Sequence, residues 1–137
     1  MILEGLISVL TDDGSVFALT GNRVRMSQLE EGDREAGPSL VLQRAGGTPN
    51  QTLNPRTGTR QVQIQIDAYA LTRAAAVELS ETVLSVLDYA YGTLSEGTVL
   101  QVIRPVGEPL DFYEPDTKLY REFMQFEALF NSPNPSS

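Results

Sequence analysis

The chain has 137 residues, 18 acidic against 10 basic side chains and a net charge of −8, and its length is typical of one domain. It contains neither cysteine nor histidine, which excludes disulfides, thiolate nucleophiles and the commonest general-base and zinc-binding side chains. Nine of the ten bases are arginines spread along the sequence, so no basic stripe is present that would hold nucleic acid by its phosphates.

The N-terminal segment predicts two short helices. Residues 2–11 carry leucine and isoleucine at helical spacing, and the helix is expected to end near Gly14. Ser15 is the expected N-cap of a second, shorter helix that ends at Gly21. The segment lacks a basic n-region and a cleavage site, and no apolar run approaches the ~20 residues that span a bilayer. We therefore expect a cytoplasmic protein.

Two brief strands and a charged loop are predicted next. Residues 22–26 form the first strand, and the loop EEGDREAGP at 30–38 has no apolar anchor except Ala36. The second strand begins at residues 40–42 and ends at Gly46-Gly47.

The segment at 46–59 is longer than a usual hairpin connection. GGTPNQTLNPRTGT contains three glycines and two prolines, and hairpin loops normally have ~2–5 residues. Such a segment is either a disordered link or a projecting loop that orders on a partner. Leu53 is its only large apolar side chain, and together with Arg56 it is a candidate contact for a partner.

The strand at 59–70, TRQVQIQIDAYA, is the clearest element of the sequence. Strict alternation places one set of side chains in a core and the other on the opposite face of the sheet. The outward set includes Gln61, Gln63 and Gln65, and Arg60 lies beside them. This neutral face rich in donors and acceptors is either an ordinary solvated surface or a surface that seats another chain or lines a lumen.

A long helix is predicted after this strand. Thr72 is the expected N-cap, the helix runs to about Tyr91, and Gly92 occupies the position after its end. Its apolar stripe consists of Ala76, Leu79, Val83, Leu87 and Ala90.

Two further strands, at 99–106 and 120–130, complete the prediction. The fold class is α+β, with an antiparallel or mixed sheet of four to five strands covered on one face by one long and one or two short helices. We expect a single domain at 1–130 and a flexible C-terminal tail at 131–137.

No complete catalytic or metal-binding motif is present. Asp111, Glu114 and Asp116 are candidate ligands for Ca²⁺ or Mg²⁺, but their spacing fits no complete loop motif, and a solvated or interface turn is the favoured interpretation. The serines have no histidine partner, and Lys118 is the only lysine. The sequence therefore predicts no catalytic residue, no cofactor and no metal.

Aromatic residues and an arginine are concentrated before the last strand. Phe112, Tyr113, Tyr120 and Arg121 are of the types that are enriched at protein–protein contacts. Two interpretations remain open: these residues form an interface, or Phe112 and Tyr120 only close the edge of the core.

Several segments together resemble the tail terminator, or tail completion, proteins of long-tailed bacteriophages and gene transfer agents. The resemblance rests on GNRV at 21–24, PSLVLQR at 38–44, TPNQTL at 48–53, the strand and helix at 60–88, and YEPDTKLYREFMQF at 113–126. It spans nearly the whole chain.

The resemblance implies a non-enzymatic virion assembly protein. It implies a homo-oligomer, a hexameric ring that caps the head-proximal end of the tail tube, stops tube polymerisation and provides the surface for joining the head. The implied partners are the major tail tube protein and a head-completion or connector protein, while DNA passes through without specific binding. The implied location is the host cytoplasm during assembly and then the tail of the particle.

Two alternatives remain open. The chain is a head-completion or connector protein of the same particle, or it is an unrelated small adaptor domain that uses its long loop for recognition. The candidate interface residues are the same in each case: Leu53, Arg56, Arg60, Gln61, Gln63, Gln65, Tyr113, Asp116, Tyr120 and Arg121.

Overall fold

A computed structural model describes residues 2–44, 52–54, 59–94 and 97–131 of the chain. The helices are α1 (Ile2–Asp12), α2 (Gly14–Thr20), α3 (Asp33–Ala36) and α4 (Arg73–Leu87). The strands are β1 (Val24–Met26), β2 (Ser39–Arg44), β3 (Thr52–Asn54), β4 (Thr59–Ala70), β5 (Ala90–Thr93), β6 (Val99–Pro105), β7 (Leu110–Glu114) and β8 (Leu119–Asn131).

All eight of these strands belong to one mixed sheet, in which β4 and β8 form the central pair. The order across the sheet is β1-β2-β4-β8-β6-β5, while β3 pairs with β4 and β7 pairs with β8. The β1–β2 pair is parallel and every other pair is antiparallel. The α+β class is therefore confirmed, but the prediction of four to five strands was too small.

The core lies between one face of this sheet and the helices. Alternate residues of β4, from Val62 to Ala70, are at most 6 % exposed on that face. Helix α4 packs across β4, β8 and β6, and α1 packs beside it on β1 and β2. The α4 side chains Leu79, Val83 and Leu87 are fully buried, as the helical stripe predicts.

The boundaries of two helices differ from the prediction. The N-cap of α2 is Asp13 rather than Ser15, because its carboxylate accepts hydrogen bonds from the backbone N–H groups of Ser15 and Val16. Helix α4 starts after Thr72 as expected but ends at Leu87 instead of near Tyr91. The chain turns there because Tyr89 adopts a left-handed conformation with φ of 55°, and the next residues pair with β6 as strand β5.

The segment at 30–38 was predicted as a charged loop with no apolar anchor except Ala36, and the structure adds a helix and a charged anchor. It contains the single-turn helix α3, and its Asp33 is only 4 % exposed. The anchor is a charge rather than an apolar side chain, because Asp33 receives two hydrogen bonds from Arg25 in β1.

Two strands were missed near the ends of the central pair. Residues 52–54 of the predicted loop at 46–59 form β3, which pairs with the first residues of β4. Residues 110–114, expected as part of a turn, form β7. Residues 45–51 and 55–58, which include Gly46-Gly47, and residues 132–137 of the predicted tail lie outside the described residues.

Candidate assembly surface

The face of the sheet opposite α4 carries the outward residues of β4, and among the described residues no helix comparable to α4 covers it. Gln61, Gln63 and Gln65 all project to this side, which we call the open face. Gln63 is exposed, while Gln61 and Gln65 are half-buried. The alternation predicted from the sequence is therefore confirmed, and it gives these three side chains a common surface.

Strand register places two more glutamines beside Gln65. Gln43 of β2 lies directly opposite Gln65 on one side, and Gln125 of β8 lies directly opposite it on the other. Opposite residues of antiparallel strands have Cβ atoms about 4.5–5.5 Å apart, so three glutamines cross the open face as one row. We call Gln43, Gln65 and Gln125 the glutamine row. Their amides present donors and acceptors without net charge.

A buried ion pair lies next to the glutamine row. Asp67 is 2 % exposed, and its Oδ1 accepts a hydrogen bond of 2.9 Å from Nε of Arg121. Its Oδ2 accepts one of 2.8 Å from Nε2 of Gln65. Both oxygens of this carboxylate are thus satisfied, as a buried charge requires.

The same neighbourhood shifts two pKa values. Burial by itself would lower the pKa of Arg121, but the hydrogen bond and the negative charge of Asp67 outweigh this effect and raise it. Burial also raises the pKa of the Tyr69 hydroxyl to about 12, and the carboxylates of Asp67 and Glu114 act in the same direction. Arg121 therefore stays charged and Tyr69 stays neutral over the physiological range.

Aromatic rings hold Arg121 from the other side. Its guanidinium carbon lies 5.4 Å from the ring centroid of Phe112 and 5.6 Å from that of Phe123. These two rings meet edge to face at 6.4 Å. Distances below about 6 Å give favourable cation–π contact, so Arg121 is fixed by both the carboxylate and the rings.

The α3 segment extends over one end of the open face. Arg25 lies opposite Val41 of β2 on that face, and Nε and Nη2 of Arg25 each donate a hydrogen bond of 3.0 Å to Asp33. The neighbouring Arg34 donates from Nε to the backbone carbonyl of Thr117, in the turn between β7 and β8. Arg25 therefore attaches this segment to β1, and Arg34 attaches it to the turn between β7 and β8.

The sequence-predicted interface residues are divided between the two faces. Arg121 and Gln65 meet through Asp67 on the open face. Tyr113 contacts Tyr120 on the opposite face, with ring centroids 4.9 Å apart. Asp116 is exposed in the turn before β8. Arg60 is half-buried at the start of β4.

The remaining two candidates lie in the predicted loop. Arg56 and the side chain of Leu53 are outside the described residues. The role of all these residues as contacts stays a prediction.

Sequence reasoning missed several members of the open face. Gln43, Gln125 and Phe123 belong to it because of strand register between segments as much as 80 residues apart, whereas the alternation of β4 had already placed Asp67 on the outward side. The alternation within β8 gave the only available signal, since it places Phe123 and Gln125 on the side away from the core.

The candidate cation ligands are not clustered. Asp111 is bound by Arg73, whose Nε donates a hydrogen bond of 3.0 Å to it. Within the described ranges, no group of three carboxylate side chains is placed to hold a metal ion. No helix in that part of the chain is long and apolar enough to cross a membrane.

A surface groove of about 770 Å³ lies on the other side of the molecule, between the start of α2 and the outer side of α4. Its charged lining consists of Asp13, Glu78, Glu81 and Arg73. With no histidine or cysteine in the sequence, this groove contains none of the usual nucleophile–base pairs.

Comparisons with known proteins agree on one relationship. The family model described as tail completion protein gp17 matches residues 4–131. Among solved structures, the chain resembles one from a structure titled "Virion of native gene transfer agent (GTA) particle", with 19% sequence identity and a TM-score of 0.74. The match covers 96% of this chain and 95% of that one. A search of curated proteins finds no match.

The Asp67–Arg121 pair predicts a difference in stability between two conservative substitutions. Asp67→Asn leaves the half-buried guanidinium of Arg121 with the more distant carboxylate of Glu114, at 3.9 Å, as its counter-charge, and we expect the free energy of unfolding to fall by about 1–3 kcal/mol. The loss stays below that of a fully buried pair because the Arg121 side chain is 23% exposed. Urea unfolding of the purified protein measures it. In the control Glu127→Gln, which disrupts the more exposed pair with Arg104, the loss should be below about 1 kcal/mol. Equal losses would contradict this account.

The Arg25–Asp33 pair predicts a dependence of stability on pH. Hydrogen bonds from Arg25 lower the pKa of Asp33. The carboxylate therefore stabilises the folded state fully above its unfolded pKa of about 3.9, and this contribution is lost as the pH falls through the folded value. The difference in unfolding free energy between the wild type and Asp33→Asn should thus be constant near neutral pH and shrink below about pH 4. The control is Asp116→Asn in an exposed turn, for which we expect a change within about 0.5 kcal/mol. A difference that does not shrink in acid would refute the assignment.

Proposed function

The chain belongs to the tail completion protein gp17 family, and from this premise we propose that it is a tail terminator that forms a hexameric ring on the head-proximal end of the tail tube. Family membership makes it a phage tail assembly protein. The match over residues 4–131 carries the proposal, because it includes every described strand. The likeness to a chain from a gene transfer agent particle supports the same fold.

The proposed role is structural rather than catalytic. Charged side chains on the open face form pairs such as Asp67–Arg121 and Glu127–Arg104, instead of surrounding a cleft. Such pairs fix side-chain positions at a surface. We propose that the ring stops polymerisation of the major tail tube protein and offers its other side to a head-completion or connector protein.

The open face is proposed to line the passage for DNA. The glutamine row is neutral, and the arginines of β6 and β8 that reach this face, Arg104 and Arg121, each have a carboxylate partner. A duplex binds tightly only where free cationic groups release its counterions, so this lining lets DNA pass without adhesion. Of the two uses open for this strand face, a contact or a lumen, the neutralised charges favour the lumen.

The segment at 46–59 is proposed to contact a neighbouring subunit or the adjacent ring. Strand β3 within it pairs with the first residues of β4, including Arg60, which places the described part of the segment at that end of the sheet. Leu53 and Arg56 are the candidate contacts.

Deletion of the gene tests the terminator role. A producer strain without this protein should make tail tubes of uncontrolled length and filled heads that lack tails, and the gene supplied in trans should restore both. Electron microscopy of tube length and head joining measures the result.

A chain with residues 47–58 deleted should fold, as judged by circular dichroism, but should fail to restore normal tails. In the strain that lacks the gene, tubes of normal length without heads would instead indicate the connector role.

The lumen lining predicts the effect of added charge. Gln61→Arg together with Gln63→Arg places two free cations per subunit on the open face, which should leave the number of assembled particles unchanged but reduce DNA delivery by at least about tenfold. DNA transfer per particle, counted by electron microscopy, is the measurement.

The matched control changes the same positions to glutamate, which repels phosphates and should preserve delivery. Equal delivery by the arginine and glutamate variants would show that this face does not meet DNA. A loss of assembled particles in both variants would show that it is a protein contact.

A further inference from the structure

The outer edges of β1 and β7 lie at the two ends of one row of paired residues that crosses the sheet. Val24 of β1 is opposite Leu40, which is opposite Ala68. Ala68 is in turn opposite Glu122, and Glu122 is opposite Asp111 of β7. The row thus crosses five strands and ends in β1 and β7, and no described strand pairs with the outer edge of either.

The two edge strands run in opposite directions. Strand β1 is parallel to β2, and each following step from β2 to β4, β8 and β7 is antiparallel. A second copy placed beside the first in the same orientation would therefore bring its β1 antiparallel to β7. Antiparallel ladders are the slightly more stable kind and form without a crossover connection.

Strand β7 is an incompletely protected sheet edge, although it contains Asp111 and Glu114. Proteins normally guard edges with charged side chains or proline, but β7 exposes apolar side chains on both faces. Leu110 and Phe112 are 53 % and 45 % exposed on the open face, and Tyr113 is 51 % exposed on the opposite face. At the other edge, Met26 is 39 % exposed and lies on the same face as Tyr113.

The charges of the two edges are of opposite sign. Arg23 and Arg25 flank Val24 at the β1 edge, while β7 contains Asp111 and Glu114. Each has an internal partner, but a guanidinium has five donors and a carboxylate has about four acceptor sites, so both can bond further. Sign complementarity favours contact between unlike edges over contact between like ones.

Strand β5 forms the other outer edge on the same side of β8 as β7, and it fits the β1 edge less well than β7 does. Tyr91 of β5 is 81 % exposed, yet β5 runs in the same direction as β1 and would pair with it in parallel. Ala90 also lies in a row with Ile103, Ala128 and Val62, toward the other end of the sheet from Val24.

From these observations we infer that copies of this chain join by antiparallel pairing of β7 in one subunit with β1 in the next, so that the sheet continues between subunits. The inference rests on the homo-oligomer proposed above and names its contact. The contact is heterologous, so it forms a ring wherever the rotation between subunits closes. Twist of roughly 20–25° per strand curves such a continued sheet. The open face and the helical face then become the two walls of the ring.

The absence of cysteine from the sequence allows a direct test by cross-linking. Met26→Cys and Tyr113→Cys, whose positions lie on the same face, are made as single variants and as a double variant of the full chain, and treated with a flexible bis-maleimide that tolerates differences in register. The double variant should give a ladder of covalent oligomers, and the mixture of the two singles should give dimers. Each single variant alone should stay monomeric on denaturing gels.

The matched control combines Met26→Cys with Tyr91→Cys at the competing edge, and it should give less than about one tenth of the cross-linked product. Native mass spectrometry of the uncross-linked protein, with and without terminator-free tail tubes, reports assembly independently. Oligomers that cross-link through Tyr91 but not through Tyr113 would overturn the edge contact and leave the proposed ring intact. Absence of any oligomer in either condition would overturn the ring and the contact together.

A second pair of variants asks whether the contact drives assembly. Leu110→Asp should abolish oligomers, while Tyr91→Asp should leave them unchanged, and thermal unfolding checks that both variants are folded. Strand β7 has no buried side chain, so its substitution should leave the monomer stable. Oligomers of unchanged size from Leu110→Asp would contradict the inference.

Discussion

The pairing of β4 with β8 is the constraint on which the rest of the molecule depends. Twelve consecutive register pairs join these strands, from Thr59 opposite Asn131 to Ala70 opposite Tyr120. Each long strand then offers its outer side to two shorter ones, β2 and β3 on β4, and β6 and β7 on β8. Because side chains alternate along both strands, one register fixes both the core beneath α4 and the composition of the open face.

The same register explains how a surface with many charged groups remains neutral. It brings Asp67 within reach of Arg121, and the register of β6 with β8 brings Glu127 within reach of Arg104, although the residues of each pair are distant in sequence. The two pairs differ in burial. Breaking the more buried pair costs more stability, although the intact pair contributes little relative to apolar side chains in the same place. Its value lies in fixing Arg121 against Phe112 and Phe123, which connects β7 to the centre of the sheet.

The elements that could be predicted from sequence were those whose pattern repeats within one segment. Strand β4 was predicted at its observed bounds because its alternation is strict, and α4 was predicted to start after Thr72 because a cap precedes a clear stripe. The end of α4 was wrong, since Ala90 continues the helical spacing and only the partner strand β6 draws it into a sheet. Strand β7 has no buried residue and hence no pattern. The Asp67–Arg121 pair required the long-range register, which local sequence does not encode.

The position of β8 after all of its partner strands in the sequence has a consequence for synthesis. This strand is the common partner of β4, β6 and β7, and its contacts are mostly between residues far apart in sequence. Folds dominated by such contacts form slowly, after the chain has closed large loops. A polypeptide interrupted before Leu119 would lack the middle of its sheet and expose the edges of β4, β6 and β7. Chains that stop before β8 are therefore expected not to form the folded subunit.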